Sequence, residues 1–157
     1  MMVRRATDED GEVLARLHEP IQQLHADARP DIYRLPLMAD ALIEDYRQTL
    51  ADPNNYVWIA EIEGEPVGCV IAQVMRRPAT IYTHPRKMVR IDQISVNPEH
   101  QGKGCGKALL NAVRDLARAE GIQRVVLDVW DFNRHAIEFY ERQGFRAFSY
   151  EMELRLG

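Results

Sequence analysis

Apolar positions along the chain switch between a helical and a strand period, and the switches divide it into short alternating elements. Residues 3–5 read as a strand. Val13, Leu14, Leu17, Ile21 and Leu24 then recur at helical spacing behind Thr7 or Asp8, either of which can cap a helix, while Pro20 inside the pattern predicts a kink or a break. Residues 29–36, with two prolines, read as a loop. A second helix is expected over about residues 38–51, ended by Asp52-Pro53-Asn54-Asn55. Residues 56–63 and 66–75 are strand-like around Glu63-Gly64-Glu65 and predict a hairpin. A basic, proline-containing connection over residues 76–87 follows, leading to a strand over residues 89–96.

The best amphipathic helix is expected over residues 103–120, where Leu109, Leu110, Val113, Leu116 and Ala117 share one face and Gly121 supplies a stop. A strand over residues 124–129, a helix over 134–143 closed by Gly144, and a terminal strand over 147–156 complete the chain. Alternating strands and helices in the second half predict parallel pairing, and the earlier hairpin predicts antiparallel pairing. The fold class is therefore α/β of the α+β type with a mixed sheet.

Composition narrows the function classes. The 157 residues suit one domain, and 46% hydrophobic with 28% charged residues is ordinary for a globular protein. A net charge of −4 argues against a general nucleic-acid binder. Cys69 and Cys105 form neither a disulfide framework nor a metal spacing, so no metal is expected. The first residues lack an apolar signal core and no run is long enough to cross a membrane, so a cytoplasmic location is expected.

The chemistry centres on Gln101-Gly102-Lys103-Gly104-Cys105-Gly106-Lys107, between a strand and a helix. Alternate glycines let a backbone approach a ligand, and a helix start offers unpaired amides and a partial positive charge, so the loop suits a pyrophosphate. It is not a P-loop: Gln101 stands where the first glycine belongs and Ala108 where the hydroxyl belongs. Nor is it G-x-G-x-x-G, because Gly102, Gly104 and Gly106 are spaced G-x-G-x-G. Gln101, Gly104 and Gly106 read Q-x-x-G-x-G, and the stretch from Asn133 to Phe145 reads N-x-x-A-x-x-F-Y-x-x-x-G-F. Both resemble motifs of the GNAT superfamily of acetyl-CoA-dependent N-acetyltransferases, and together with the preceding strand they cover residues 89–145.

This resemblance implies an acyl-CoA N-acyltransferase fold: a mixed, twisted sheet of roughly six to seven strands with helices on both faces, splayed between strands 89–96 and 124–129. It implies one N-acetyltransferase domain over residues 1–157, with an acceptor-side half (1–88), an acetyl-CoA-binding half (89–145) and the terminal strand. Acetyl-CoA is the implied co-substrate and an amine the implied acceptor, in a monomer or homodimer, with no nucleic-acid or membrane partner. The implied cofactor contacts are the backbone of Ile94, Ser95 and Val96, the loop residues Gln101, Gly102, Lys103, Gly104, Cys105, Gly106 and Lys107, and Asn133 and Tyr140. The Ile94 amide is the implied oxyanion donor and Tyr140 the implied acid for the departing thiolate.

Asp92 is the first choice of general base, ahead of Glu61 and Asp128, and it can equally pair with Arg90 or Arg124. Acceptor contacts are expected from the loop carrying His25, Asp27, Arg29, Asp31, Tyr33 and Arg34. The basic group Arg76, Arg77, Arg86, Lys87 and Arg90 either is a solvated face or marks an anionic acceptor. A non-catalytic acyl-CoA-binding module is the alternative function.

Overall fold

The computed structural model describes residues 1–157. Five strands, β1 (Met2–Arg5), β2 (Asn55–Ile62), β3 (Glu65–Arg77), β4 (Arg86–Val96) and β5 (Val125–Leu127), form one sheet in chain order. The first three pairings are antiparallel and β4–β5 is parallel, so the sheet is mixed as expected. Period-two alternation assigns its faces. Val57, Ile59, Cys69 and Ile71 pack against Leu14, Leu17 and Tyr46 of α1 (Gly11–Ala28) and α2 (Ala39–Ala51). The intervening Ala60, Val70 and Ala72 face Leu109, Leu110 and Val113 of α3 (Cys105–Ala119) on the other side. Each fully buried Leu contributes about 1.5–3 kcal/mol to this packing.

Several boundaries differ from expectation for identifiable reasons. Helix α1 starts after Asp10, not Thr7 or Asp8: the Asp10 carboxylate accepts from the Thr7 amide (2.7 Å) and from both terminal nitrogens of Arg4 (2.9 Å each). Pro20 does not break the helix, which runs on to Ala28. Arg76, Arg77, Arg86 and Lys87 are not a connection but the paired ends of β3 and β4. β5 is shorter than expected, and α3 starts at Cys105 rather than Lys103. The terminal strand over 147–156 does not form, leaving five strands where six to seven were expected. That segment is instead held by ion pairs of Glu153 with Arg29 (3.1 Å) and Arg155 with Asp31, and by the Phe148 ring against Arg124.

Candidate active site

The β4–β5 ladder ends at Ile91↔Leu127, yet β4 continues to Val96. Asp92 to Val96 thus have a strand partner only on the β3 side, and a cleft opens between the two strands as expected. Within the same stretch the β3–β4 register slips: Ala72 opposes Ile91 while Ile71 opposes Gln93, leaving Asp92 as the extra residue of a bulge. Val89 and Ile91 before the bulge, and Ile94 and Val96 after it, all pack on the α3 side. Asp92 and Gln93 consequently both line a cavity on the α1–α2 side.

The glycine loop leaves the end of β4 through a 3-10 turn, Pro98–His100, and is tied back by Gln101 Nε2 donating to the Val96 carbonyl (3.2 Å). Gly104 caps α3 at φ +87°, where a side chain is strained. The first amide to donate in α3 is that of Ala108, to Gly104 O (3.0 Å), and no amide from Gly102 to Lys107 donates to a backbone carbonyl. A cradle of free N–H groups at a helix start is what a pyrophosphate requires. Lys103 and Lys107 are exposed beside it, whereas Cys105 is buried in the α3 core.

Helix α4 (Arg134–Arg142) is capped by Asn133, whose Oδ1 accepts from the Ala136 amide (3.2 Å). It abuts the glycine loop. A Cβ at Gly106 would lie 3.0 Å from the Phe139 ring, so this glycine serves helix packing in addition to the close approach read from its spacing. Arg114 of α3 donates to the carbonyl of Gln143 (2.8 Å), closing the other end of the helix pair. Tyr140 lies between the rings of Phe139 and Phe145, and burial alone pushes its phenol up to about 12.

The cavity beside the bulge has a volume of about 340 Å³ and is lined by His18, Asp45, Tyr46, Asp92 and Gln93 among others, with no Lys or Arg. Gln22 Nε2 donates to the Arg34 carbonyl (3.0 Å), so its Oε1 accepts from His18 Nε2 (3.0 Å). His18 Nδ1 meets Tyr46 Oη at 2.8 Å, and Tyr46 Oη meets Gln93 Oε1 at 2.7 Å. Tyr46 Oη donates to Gln93 Oε1, and the Gln93 amide nitrogen faces Cys69 Sγ at 3.7 Å. Burial raises the Tyr46 phenol, so it stays a donor. Burial also raises the Asp92 carboxyl, an effect that Arg90, 3.6 Å away, partly offsets.

Other expected site residues lie elsewhere. Glu61 is paired with Arg4 (2.7 Å) toward the β1 edge, and Asp128 with Arg90. Arg29 pairs with Asp31 and faces Trp130, while the Tyr33 hydroxyl accepts from Trp130 Nε1 (2.7 Å). The 29–34 loop is therefore tied to the chain after β5. Arg76, Arg77, Arg86 and Lys87 lie at the opposite end of β4 from the cleft, about 20–30 Å away at strand rise. Tyr46, His18 and Gln93 were not expected. The available signal was the phase of β4, in which apolar residues stand at 89 and 91 and then at 94 and 96, so that alternation skips a residue at the bulge.

Residues 19–145 match the Acetyltransferase (GNAT) family, and the chain belongs to it. It is 32% identical over 110 residues to N-acetyltransferase family 8 member 2 of Rattus norvegicus, covering 70% of this chain and 46% of that protein. N-acetyltransferase 8B of Homo sapiens is 34% identical over 97 residues, with 62% and 41% covered. The chain thus spans less than half the length of these relatives. Among solved structures, a tetramutant of the BH1408 protein from Bacillus halodurans superposes with a TM-score of 0.92 at 28% identity, over 99% of this chain and all of that one. A predicted acetyltransferase with acetyl-CoA from Clostridium acetobutylicum superposes at 0.73 and 19% identity, over 98% and 95%, a likeness of fold alone. No helix is long and apolar enough to cross a membrane.

Proposed function

We propose that the chain transfers the acetyl group of acetyl-CoA to a primary amine by direct attack in a ternary complex. The observation that carries this reading is the divergence of β4 from β5 past Ile91 and Leu127, beside a loop of unpaired amides from Gly102 to Lys107. The free edge at Ile94, Ser95 and Val96 suits the peptide-like amides of a pantetheine arm, and the loop suits its pyrophosphate. Lys103 and Lys107 add charge there, Gln101 holds the loop to β4, and the Asn133 amide nitrogen remains free for the cofactor because only its oxygen is used in the cap.

Acetyl-CoA supplies a thioester whose carbonyl carbon gains the amine nitrogen and loses sulfur. The amide of Ile94 donates to the carbonyl oxygen as charge develops there. Asp92, aimed by the bulge into the cavity, takes the ammonium proton, and the rise of its carboxyl toward neutrality improves it as a base. Asp45 and Asp92, in a cavity lined by no Lys or Arg, favour a cationic acceptor. Tyr140 holds its proton toward the departing thiolate. Complete transfer from a phenol near 12 to such a thiolate is uphill by about 5 kcal/mol, so Tyr140 serves as a hydrogen-bond donor, and the second proton, shed by the nitrogen as the tetrahedral intermediate collapses, reaches the thiolate through solvent.

CoA release across a panel of amines, together with acetyl-CoA titration calorimetry, tests the reading. We expect acetyl-CoA binding and amine-dependent release with a monoacetylated product. Tight acetyl-CoA binding without turnover of any amine would leave only the cofactor half of the proposal.

A further inference from the structure

The far end of the β3–β4 hairpin is charged in a way that its own pairing resists. The register sets Arg76 opposite Lys87 and Arg77 opposite Arg86. Like charges facing each other on neighbouring strands destabilise a sheet. Of the four, only Arg76 has a carboxylate partner, Glu120 at 3.3 Å. Residues 76–87 contain no Asp or Glu, although the chain as a whole has a net charge of −4. An anionic surface laid against this end would relieve the repulsion.

Beyond the four cations the loop presents apolar side chains. Ile81 and Tyr82 are adjacent at its tip, 90% and 87% exposed. The turn that carries them is closed on itself: Thr80 Oγ1 accepts from the Tyr82 and Thr83 amides (3.0 Å each), and the Thr80 amide donates to the Thr83 carbonyl (3.0 Å). Pro78 and Pro85 bracket the loop and bring no N–H. Several backbone donors of the tip are thus already satisfied or absent, which lowers the cost of taking it out of bulk water.

We propose that this hairpin tip docks on an anionic lipid bilayer: Ile81 and Tyr82 enter the interface while Arg76, Arg77, Arg86 and Lys87 lie among the headgroups. A tyrosine at that depth keeps its ring against acyl chains and its hydroxyl in the polar layer. Apolar tip and basic collar together fit a surface that carries negative charge with hydrocarbon beneath it. A nucleic acid or an acidic protein would use the collar alone. The remainder of the chain is more negative than the whole, so the field that attracts this end repels the others and orients the protein. The candidate cleft, at the opposite end of β4, then opens toward water. This is docking on a membrane surface and needs no spanning helix.

Flotation with phosphatidylcholine vesicles, with and without phosphatidylserine, tests this on the full chain. We expect binding only where phosphatidylserine is present, weakened by added salt, with amide exchange at residues 79–84 slowed on the vesicles. Arg77→Gln and Arg86→Gln should each lower the partition about fivefold. Each should also hold or raise the melting temperature, because it relieves the cross-strand repulsion. Ile81→Ser combined with Tyr82→Ser should lower the partition roughly tenfold or more. No binding to phosphatidylserine vesicles, or equal binding to pure phosphatidylcholine, would overturn the proposal, as would binding unmoved by either Gln change. Binding that survives the two Ser changes undiminished would likewise overturn it and make the hairpin a site for soluble polyanions. The exchange pattern of the unaltered protein on the two kinds of vesicle decides the matter even where a variant fails to fold.

Discussion

The glycine-loop side of the cleft and the cavity beside the bulge are built from different parts of the chain. From β4 to α4 the candidate contacts are largely backbone groups: a strand edge without a partner and the free amides from Gly102 to Lys107. Around the cavity the contacts are side chains, His18, Tyr46, Asp92 and Gln93, brought in from α1, α2 and β4. A backbone site constrains the sequence at fixed spacing, because glycine and a helix start are needed at set positions. A side-chain site leaves no such spacing, because its members are distant in sequence.

The largest expected effect falls on the backbone side. Gly104→Val places a β-branched residue at φ +87° and a side chain over the cradle, and should weaken acetyl-CoA binding by roughly 10- to 100-fold in calorimetry. It should also lower stability by about 1–2 kcal/mol, so binding is best read well below the melting temperature. Unchanged affinity in a folded protein would remove the cradle. Next comes Tyr140→Phe, which keeps the ring in its aromatic neighbourhood and removes the donor. The kcat should fall roughly 10- to 100-fold with acetyl-CoA affinity retained.

Asp92→Asn sharpens the contrast from the acceptor side. If Asp92 is the base, kcat/KM should fall about tenfold near neutral pH and recover as rising pH supplies neutral amine. The stability sign is separate. A carboxyl raised in the folded state is disfavoured as the charged form, so above its folded pKa it subtracts stability, and the Asn variant should melt at the same temperature or higher at pH 7. A lower melting temperature with an unshifted pH–rate profile would make Asp92 a partner of Arg90 and not a base.

The smallest catalytic effect is expected for Glu61→Gln. Its carboxylate shares the Arg4 guanidinium with Asp10, so this change should leave turnover within about twofold and lower the melting temperature. Asp10 in that network is depressed chiefly by its hydrogen bond to Arg4. Its contribution is therefore present above the ordinary aspartate pKa and is lost as pH falls through the depressed value, which acid titration of the melting temperature would register.

Legibility of the sequence follows the same division. The order of elements and the hairpin were readable because periodicity reports which face is buried, whereas helices on both faces of the sheet followed only from the resemblance. The loop was readable because few other roles require Gln101, Gly104 and Gly106 at that spacing before a helix. The bulge at Asp92 was encoded too, in the skipped alternation between Ile91 and Ile94, but its consequence needs the neighbouring strand: only the register with Ile71 and Ala72 turns Asp92 and Gln93 to one side. Tyr46 read as an ordinary amphipathic helix residue, and nothing local distinguishes a tyrosine that meets a histidine 28 residues away. Glu61 and Asp128 were plausible bases until Arg4 and Arg90 were seen to hold them. The 147–156 alternation reads as a strand, but no strand pairs with it and the segment forms none.

The close packing of Gly106 on Phe139 couples the glycine loop to α4. With the tip of the ring 3.0 Å from where a methyl group would stand, enlarging position 106 requires the Phe139 ring to shift by a few tenths of an ångström, and shrinking position 139 leaves a void behind the loop. Substitutions at position 106 or 139 therefore act on the loop and on α4 at once, whereas Lys103 and Lys107 are exposed and carry no such packing constraint.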